Sequence, residues 1–250
     1  MTRNELEGGA FVTSVFQLHH DHREGWSEGV VVDREHGARG LSQYHVRLEA
    51  EVNAARRFPG SDCVVFVRSG TGTLTIGSRH FEVGPEMGAY VAPGETLTAQ
   101  SASVESLDLL ITVCPQCENP QWIEDGTSSF DEKHPLRIIS REGQDRQATG
   151  DRFFQLLVDT RVGSEQITQF MGGIPHSKAP EHFHDYEEVI CVLWGNGRLW
   201  TGEQSASVGP GSLIYIPRKQ PHCLECDDDE GMLLVGHFYP AGSPAVRYGE

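Results

Sequence analysis

An all-β chain made of two tandem units, each a sandwich or barrel, is the architecture this sequence predicts. Three observations lead there. Short apolar runs of strand length recur throughout, and helical periodicity is scarce. Turn residues, including 28 glycines and 13 prolines, separate those runs at the spacing of a sandwich or barrel. Finally, the chain repeats itself. Setting Gly70-Thr71-Gly72 on Gly195-Asn196-Gly197, an offset of 125 residues, brings Val83-Gly84-Pro85 onto Val208-Gly209-Pro210 and Pro93 to within one residue of Pro217.

Taken in order, residues 1–28 read as a polar arm carrying His19, His20 and His22, a cluster expected to be solvated surface rather than a metal site. Residues 29–115 form the first unit, with strands expected at 29–33, 44–48, 63–67, 72–76, 87–91 and 107–113. Residues 116–150 are polar, broken by Asn119-Pro120, Asp125-Gly126 and Gly143, and read as a linker. Residues 151–250 form the second unit, with strands at 152–160, 165–172, 189–194, 212–216 and 232–239, then a tail from Ala241.

The chemistry concentrates in GIPHSKAPEHFHDYEEVICVLWGNG, from Gly173 to Gly197. His182 and His184 flank one residue, so a strand turns both imidazoles to the same face. Glu188 follows at the head of the apolar run Val189 to Trp194, past a turn at Asp185-Tyr186-Glu187. Two imidazoles and a carboxylate converging on one point is metal-ligand chemistry. A further imidazole, His222, stands just after the turn Pro217-Arg218-Lys219-Gln220-Pro221. Asp185 and Glu187 read as solvated turn residues and Tyr186 as rim packing. Strand parity places several of Phe170, Phe183, Cys191, Tyr215, His237 and Tyr239 toward the barrel interior, mostly as core. Among them His237 is read as a partner to the metal ligands or a general base.

These motifs resemble those of the cupin superfamily. Its first motif has the form G-x5-HxH-x3-E-x6-G, matched from His182 to Gly195, although Gly173 lies farther upstream than the pattern requires. Its second has the form G-x5-P-x-G-x2-H, matched by Gly211, Pro217 and His222, with Lys219 in place of the usual glycine. The resemblance implies two tandem double-stranded β-helix (jelly-roll) barrels, a bicupin. It implies one divalent metal held by His182, His184, Glu188 and His222, with Glu188 serving either as ligand or as base. In the 125-residue alignment the first unit has Arg57, Pro59, Cys63 and Thr98 near the four ligand places, so it has no metal site and its expected role is structural.

Three imidazoles and a carboxylate leave two octahedral positions open. That suits Fe(II), taken first, and admits Mn, Ni, Co, Cu or Zn. The resemblance implies a quercetinase-like dioxygenase acting on a small oxygenated substrate. A redox-neutral lyase, isomerase or hydrolase stands beside it, as does a binding protein without turnover. Dimethylsulfoniopropionate lyases, a cupin example, carry a catalytic tyrosine two residues after the glutamate, where this chain has Ile190. Ureidoglycine aminohydrolases use a glutamine ligand that is absent here.

A net charge of −16 argues against nucleic acid or an anionic membrane as partner. With no run of eighteen apolar residues and no signal-like N-terminus, a cytoplasmic location is expected. A small-molecule substrate is the expected partner, and a homodimer is admitted. The pairs Cys114/Cys117 and Cys223/Cys226 are expected as reduced thiols, with disulfides or a second metal site left open.

Overall fold

A computed structural model describes residues 3–23, 25–48, 55–102, 106–124, 126–246 and 248. No α-helix occurs among them, and no helix is long and apolar enough to cross a membrane. The described residues form four sheets, two to each unit.

The repeat inferred from sequence is present strand for strand. Strands beginning at residues 62, 72, 79, 87 and 107 in the first unit correspond to strands beginning at 187, 197, 204, 212 and 232 in the second, each 125 residues on. Sheet order repeats as well. One sheet runs Met87–Val91, Asp62–Ser69, Leu107–Cys114, Ser42–Leu48, Trp26–Val32; its counterpart runs Ser212–Ile216, Glu187–Trp194, Met232–Tyr239, Thr168–Ile174, Arg152–Val158. Even the turns agree: Asp33 and Asp159 cap short 3-10 turns that end at left-handed Gly37 and Gly163.

Side-chain alternation divides these strands among three cores. Cys63, Val65 and Val67 fill the first barrel, whereas Val64 and Phe66 point the other way, onto the second unit. On the matching strand Ile190 and Val192 fill the second barrel, and Val189 and Cys191 face the first. Sheets buried on both faces read as continuous apolar runs, which is why residues 63–67 and 189–192 show no polar alternation in the sequence. The two barrels therefore share one apolar layer, in which Phe66, Leu41, Leu157, Met171 and Tyr215 are each no more than 1% exposed.

Two equivalent polar clasps cross that layer. Glu187 accepts hydrogen bonds from the backbone N–H groups of Arg39, Gly40 and Leu41 and from the Tyr215 hydroxyl. Asp62 accepts in the same way from the backbone N–H groups of Glu165 and Gln166 and from the Tyr90 hydroxyl. Glu187 is thus a buried clamp on the other unit, 1% exposed, and not the solvated turn residue expected. Its position at the head of a strand buried on both faces accounts for the difference.

The segments expected as arm, linker and tail are all built into the barrels. Phe11–Ser14 pairs with Ser212–Ile216, extending a sheet of the second barrel and covering that strand's edge. Trp26–Val32 already belongs to the first barrel, so the boundary at residue 29 falls inside a strand. Within 116–150, Gln121–Ile123 pairs with Ala55–Arg57 and Ile138–Ser140 with Met87–Val91. Arg137, fully buried, holds this segment down through a bidentate ion pair with Glu95. Asp125, one of the breakers read from sequence, lies outside the described residues.

Candidate metal centre

The second barrel opens on a cavity of about 100 Å3. His182, His184 and His222 are its polar floor, all less than 9% exposed, with ligand nitrogens within 4.8 Å of one another. Backbone pairing brings them together. The His182 N–H donates to the His222 carbonyl at 3.0 Å and the His222 N–H to the His182 carbonyl at 2.9 Å. Lys219 N–H reaches the His184 carbonyl at 2.7 Å, tying the second motif's turn to the first motif. Lys219 adopts φ +60°, the left-handed conformation that explains why the cupin pattern has glycine there.

Each imidazole is oriented by a backbone carbonyl. Nδ1 of His182 lies 2.9 Å from Pro180 O, Nδ1 of His184 2.8 Å from Val246 O, and Nδ1 of His222 2.9 Å from Gln220 O. A carbonyl only accepts, so in all three rings Nδ1 carries a proton, which leaves Nε2 as the ligand atom that each can offer a metal. Three fixed lone pairs with their outer nitrogens engaged form a donor set that fits a divalent transition metal.

Glu188 lines the same cavity, 4% exposed, without belonging to the compact imidazole group. Burial alone raises its carboxyl to about 8. A metal ion held by the imidazoles would supply the positive charge that favours its ionised form.

The walls are apolar: Phe153, Phe154, Phe170, Ile190, Ile216 and Leu234. Phe170 lies over Gly236, where a Cβ would sit 2.4 Å from its ring. Tyr186, expected on the rim, lines the cavity and is stacked between His184 and Phe238, at centroid separations of 4.4 and 4.1 Å. Arg152 is the one cationic side chain among the described lining residues. The C-terminal segment read as a tail closes one side. Pro244 lines the cavity, Val246 orients His184, and Tyr248 pairs with Phe183 through reciprocal backbone hydrogen bonds and ring stacking at 5.6 Å. Backbone carbonyls leave no mark in a sequence, so the part played by Val246 was not legible. Arg152 shares strand parity with inward-facing Phe154, and that signal could have found it.

His237 corrects the sequence reading. It pairs across from Val189 while Glu188 pairs with Phe238, so the cavity side receives Leu234, Gly236 and Phe238, and His237 faces the first barrel. Fully buried there, it contacts the side-chain amides of Gln43 at 3.2 Å and Gln169 at 2.9 Å, and burial lowers its pKa to about 3. It is neither beside the metal ligands nor a base for the cavity. Cys191 and Tyr215 also face the shared layer, and Tyr239 packs against it; Phe170 is the one of the six parity candidates that lines the cavity. Parity misled because the sheet's outer face is as buried as its inner one.

The first barrel has no counterpart among the described residues. Cys63 occupies the strand position of Glu188, and Arg57 donates to the Gly94 carbonyl. Among the described residues the three imidazoles are the one group suited to a metal. All six cysteines are free, and Cys223 and Cys226 are bonded to different backbone carbonyls, those of Ala179 and Asp228. In the N-terminal histidine cluster, His20 contacts His45 at 2.9 Å, which in turn pairs with Asp108 at 3.1 Å, while His19 and His22 are exposed.

Comparison with known proteins agrees with this geometry. Residues 170–237 match the family model described as a cupin domain. Over 68 residues the chain is 32% identical to the HTH-type transcriptional activator RhaS of Klebsiella pneumoniae (strain 342), covering 27% of this chain and 24% of that protein. RhaS of Pectobacterium atrosepticum is 31% identical over 65 residues, 26% of this chain and 23% of that one. The chain thus matches about a quarter of the length of these curated relatives. Among solved structures, protein Ylba from E. coli superposes with a TM-score of 0.76 at 12% identity, over 97% of this chain and 96% of that one. Oxalate decarboxylase from Bacillus subtilis superposes at 0.70 and 15% identity, over 91% of this chain and 75% of that one. Another structure of the same decarboxylase, from work on its Mn(II) centres, gives 0.71 at 13% identity, over 93% and 78% of the two chains. The segment that matches the cupin domain spans the strands that carry the histidine motifs, and the two-barrel fold is the one seen in these structures.

Proposed function

We propose that the second barrel is the active site of a metal-dependent enzyme, an oxygenase acting on a small oxygenated organic molecule. One observation carries this reading: three Nδ1-anchored imidazoles gather their ligand nitrogens in one largely apolar cavity at the mouth of the barrel. His182, His184 and His222 would hold one divalent transition metal, with Glu188 as the fourth ligand and Fe(II) the first choice of ion. Such a metal supplies Lewis acidity and a redox couple at open coordination positions.

The chain's own residues then have distinct tasks. Phe153, Phe154 and Phe170 exclude water, which strengthens every charge interaction in the cavity. Tyr186 stacks on His184 and limits its rotation. Glu188, if displaced from the metal, is the group able to accept a proton from the substrate. Among the described lining residues, the titratable side chains besides the four proposed ligands are Tyr186 and Arg152. A redox-neutral reaction at the same site is the second reading, supported by the fold's likeness to a decarboxylase with Mn(II) centres.

The test is metal analysis of anaerobically purified protein, wild type beside His182→Ala, followed by O2 uptake on diols, diketones and hydroxy acids. Near-stoichiometric iron or another redox metal, lost in the variant, with O2 consumed on turnover, is the expected result. Turnover without O2 would move the assignment to the redox-neutral reading. Absence of bound metal in the wild type would overturn both.

A further inference from the structure

A cleft of about 580 Å3 opens where the two units meet, and it shares no lining residue with the metal cavity. Arg39, Gly40, Glu187, Arg218, Lys219 and Tyr239 are among the residues that line it. Its walls come from both units. Arg39 and Gly40 stand just before the strand Ser42–Leu48 of the first, and Arg218 and Lys219 follow the strand Ser212–Ile216 of the second. The Glu187 clasp holds the walls together. Its two oxygens accept from three backbone N–H groups and the Tyr215 hydroxyl, which fills the four acceptor sites of a carboxylate. Gly40 lets the Tyr239 ring lie close, since a Cβ there would sit 2.3 Å from that ring.

Positive charge is what this cleft has left over. Elsewhere in the chain cations are engaged: Arg56, Arg68, Arg137 and Arg141 pair with carboxylates, and Lys178 lies over the Trp200 ring. Arg39 and Arg218 are exposed, and their side chains have no hydrogen-bond or ion-pair partner among the described residues. Lys219 has one long contact, 3.6 Å, with the half-exposed Asp185. Three cations therefore line the cleft beside a single carboxylate whose acceptor sites are full. A net charge of −16 repels anions from the chain at large, so this recess is a local exception to its field. A neighbouring cleft of about 330 Å3 shares Arg39, Glu187 and Arg218 but has Glu5 among its lining residues, so it is the poorer anion site. Guanidinium groups supplied by two separate loops suit the several oxygens of a tetrahedral group better than the two coplanar oxygens of one carboxylate.

We propose that this cleft binds a small phosphate-bearing molecule, with a diphosphate group as the match for Arg39, Arg218 and Lys219. The ligand bridges the units, held by Arg39 on one side and by the turn that leads into His222 on the other. The site is separate from the metal centre and stands whether or not a metal is bound.

The test is calorimetric titration of the full-length protein with pyrophosphate, as purified and after chelator treatment, in about 0.15 M salt to screen diffuse surface attraction. Wild type is compared with Arg39→Gln, Arg218→Gln, the double variant, and Arg198→Gln, which removes an exposed arginine of the strand Gly197–Thr201 outside the cleft. Wild type should bind pyrophosphate in both states. Each single cleft variant should weaken binding about 10-fold or more, the range of one charge-assisted contact. The double variant should leave no measurable binding, and Arg198→Gln should match wild type. Equal binding by wild type and the double variant, or equal losses in Arg198→Gln and the cleft variants, would overturn the proposal. So would a wild type that does not bind pyrophosphate. A signal that persists in the double variant and disappears in His182→Ala would place the anion on the metal centre and overturn it as well. Citrate bound as tightly as pyrophosphate would overturn the choice of phosphate.

Discussion

Replacing Glu188 with glutamine should stabilise the metal-free protein and weaken the metal-bound one. Burial raises the Glu188 carboxyl from 4.5 to about 8. Between those values an unfolded chain has released a proton that the folded chain retains, so stability falls as pH rises across the window, by about 1.4 kcal/mol per pH unit. At about pH 7.5 the gap is about three units, so holding this carboxyl in place costs the metal-free protein about 4 kcal/mol, an upper bound if water enters the cavity. Glutamine has the same shape and nothing to ionise. Chelator-treated wild type and Glu188→Gln should therefore be similarly stable near pH 4.5 and diverge as pH rises. For a chain of this length the difference at about pH 7.5 corresponds to a melting temperature roughly 8–16 °C higher in the variant. Saturating Fe(II) or Mn(II) should reverse the order, because the ion stabilises the folded wild type by binding it and the variant lacks the anionic ligand. Urea or thermal melts at several pH values, with and without chelator, supply the measurement. Parallel pH dependence in the two proteins would refute the claim that Glu188 is buried without a compensating charge.

Three further predictions follow from the same geometry. His237 titrates at about 3 when folded and near 6.5 when unfolded, so wild-type stability should fall as pH drops below 6.5, by about 2 kcal/mol at about pH 5; His237→Gln should flatten that acid limb in denaturant titrations whatever its effect at neutral pH. A chain ending at Pro240 loses the Val246 carbonyl that orients His184, and its metal affinity by competitive chelation should fall about 10- to 100-fold while the barrels stay folded by circular dichroism. Lys219→Gly relieves a left-handed backbone at the cost of an exposed contact with Asp185, and should raise stability by about 1 kcal/mol in a melt.

The all-β class, the 125-residue repeat and the histidine motifs were legible in the sequence because each is carried by local pattern: strand-length apolar runs, recurring Gly and Pro turns, and His182, His184 and His222 beside turn residues. The register that sets Cys63 opposite Glu188 was legible for the same reason, since the two strands begin 125 residues apart. What tertiary structure decided is where faces point. A sheet sandwiched between two barrels has no solvent side, so parity could not say that His237 and Tyr215 face the partner barrel while Phe238 and Ile216 face the second barrel's interior. Residues outside the repeated strands, 11–14, Val246 and Tyr248, acquire their roles through backbone hydrogen bonds, which depend on position and hardly on side-chain identity. Glu187 and Glu188 are adjacent in sequence and alike in chemistry. One clasps the other barrel and one lines the cavity, because successive side chains of a strand emerge on opposite faces.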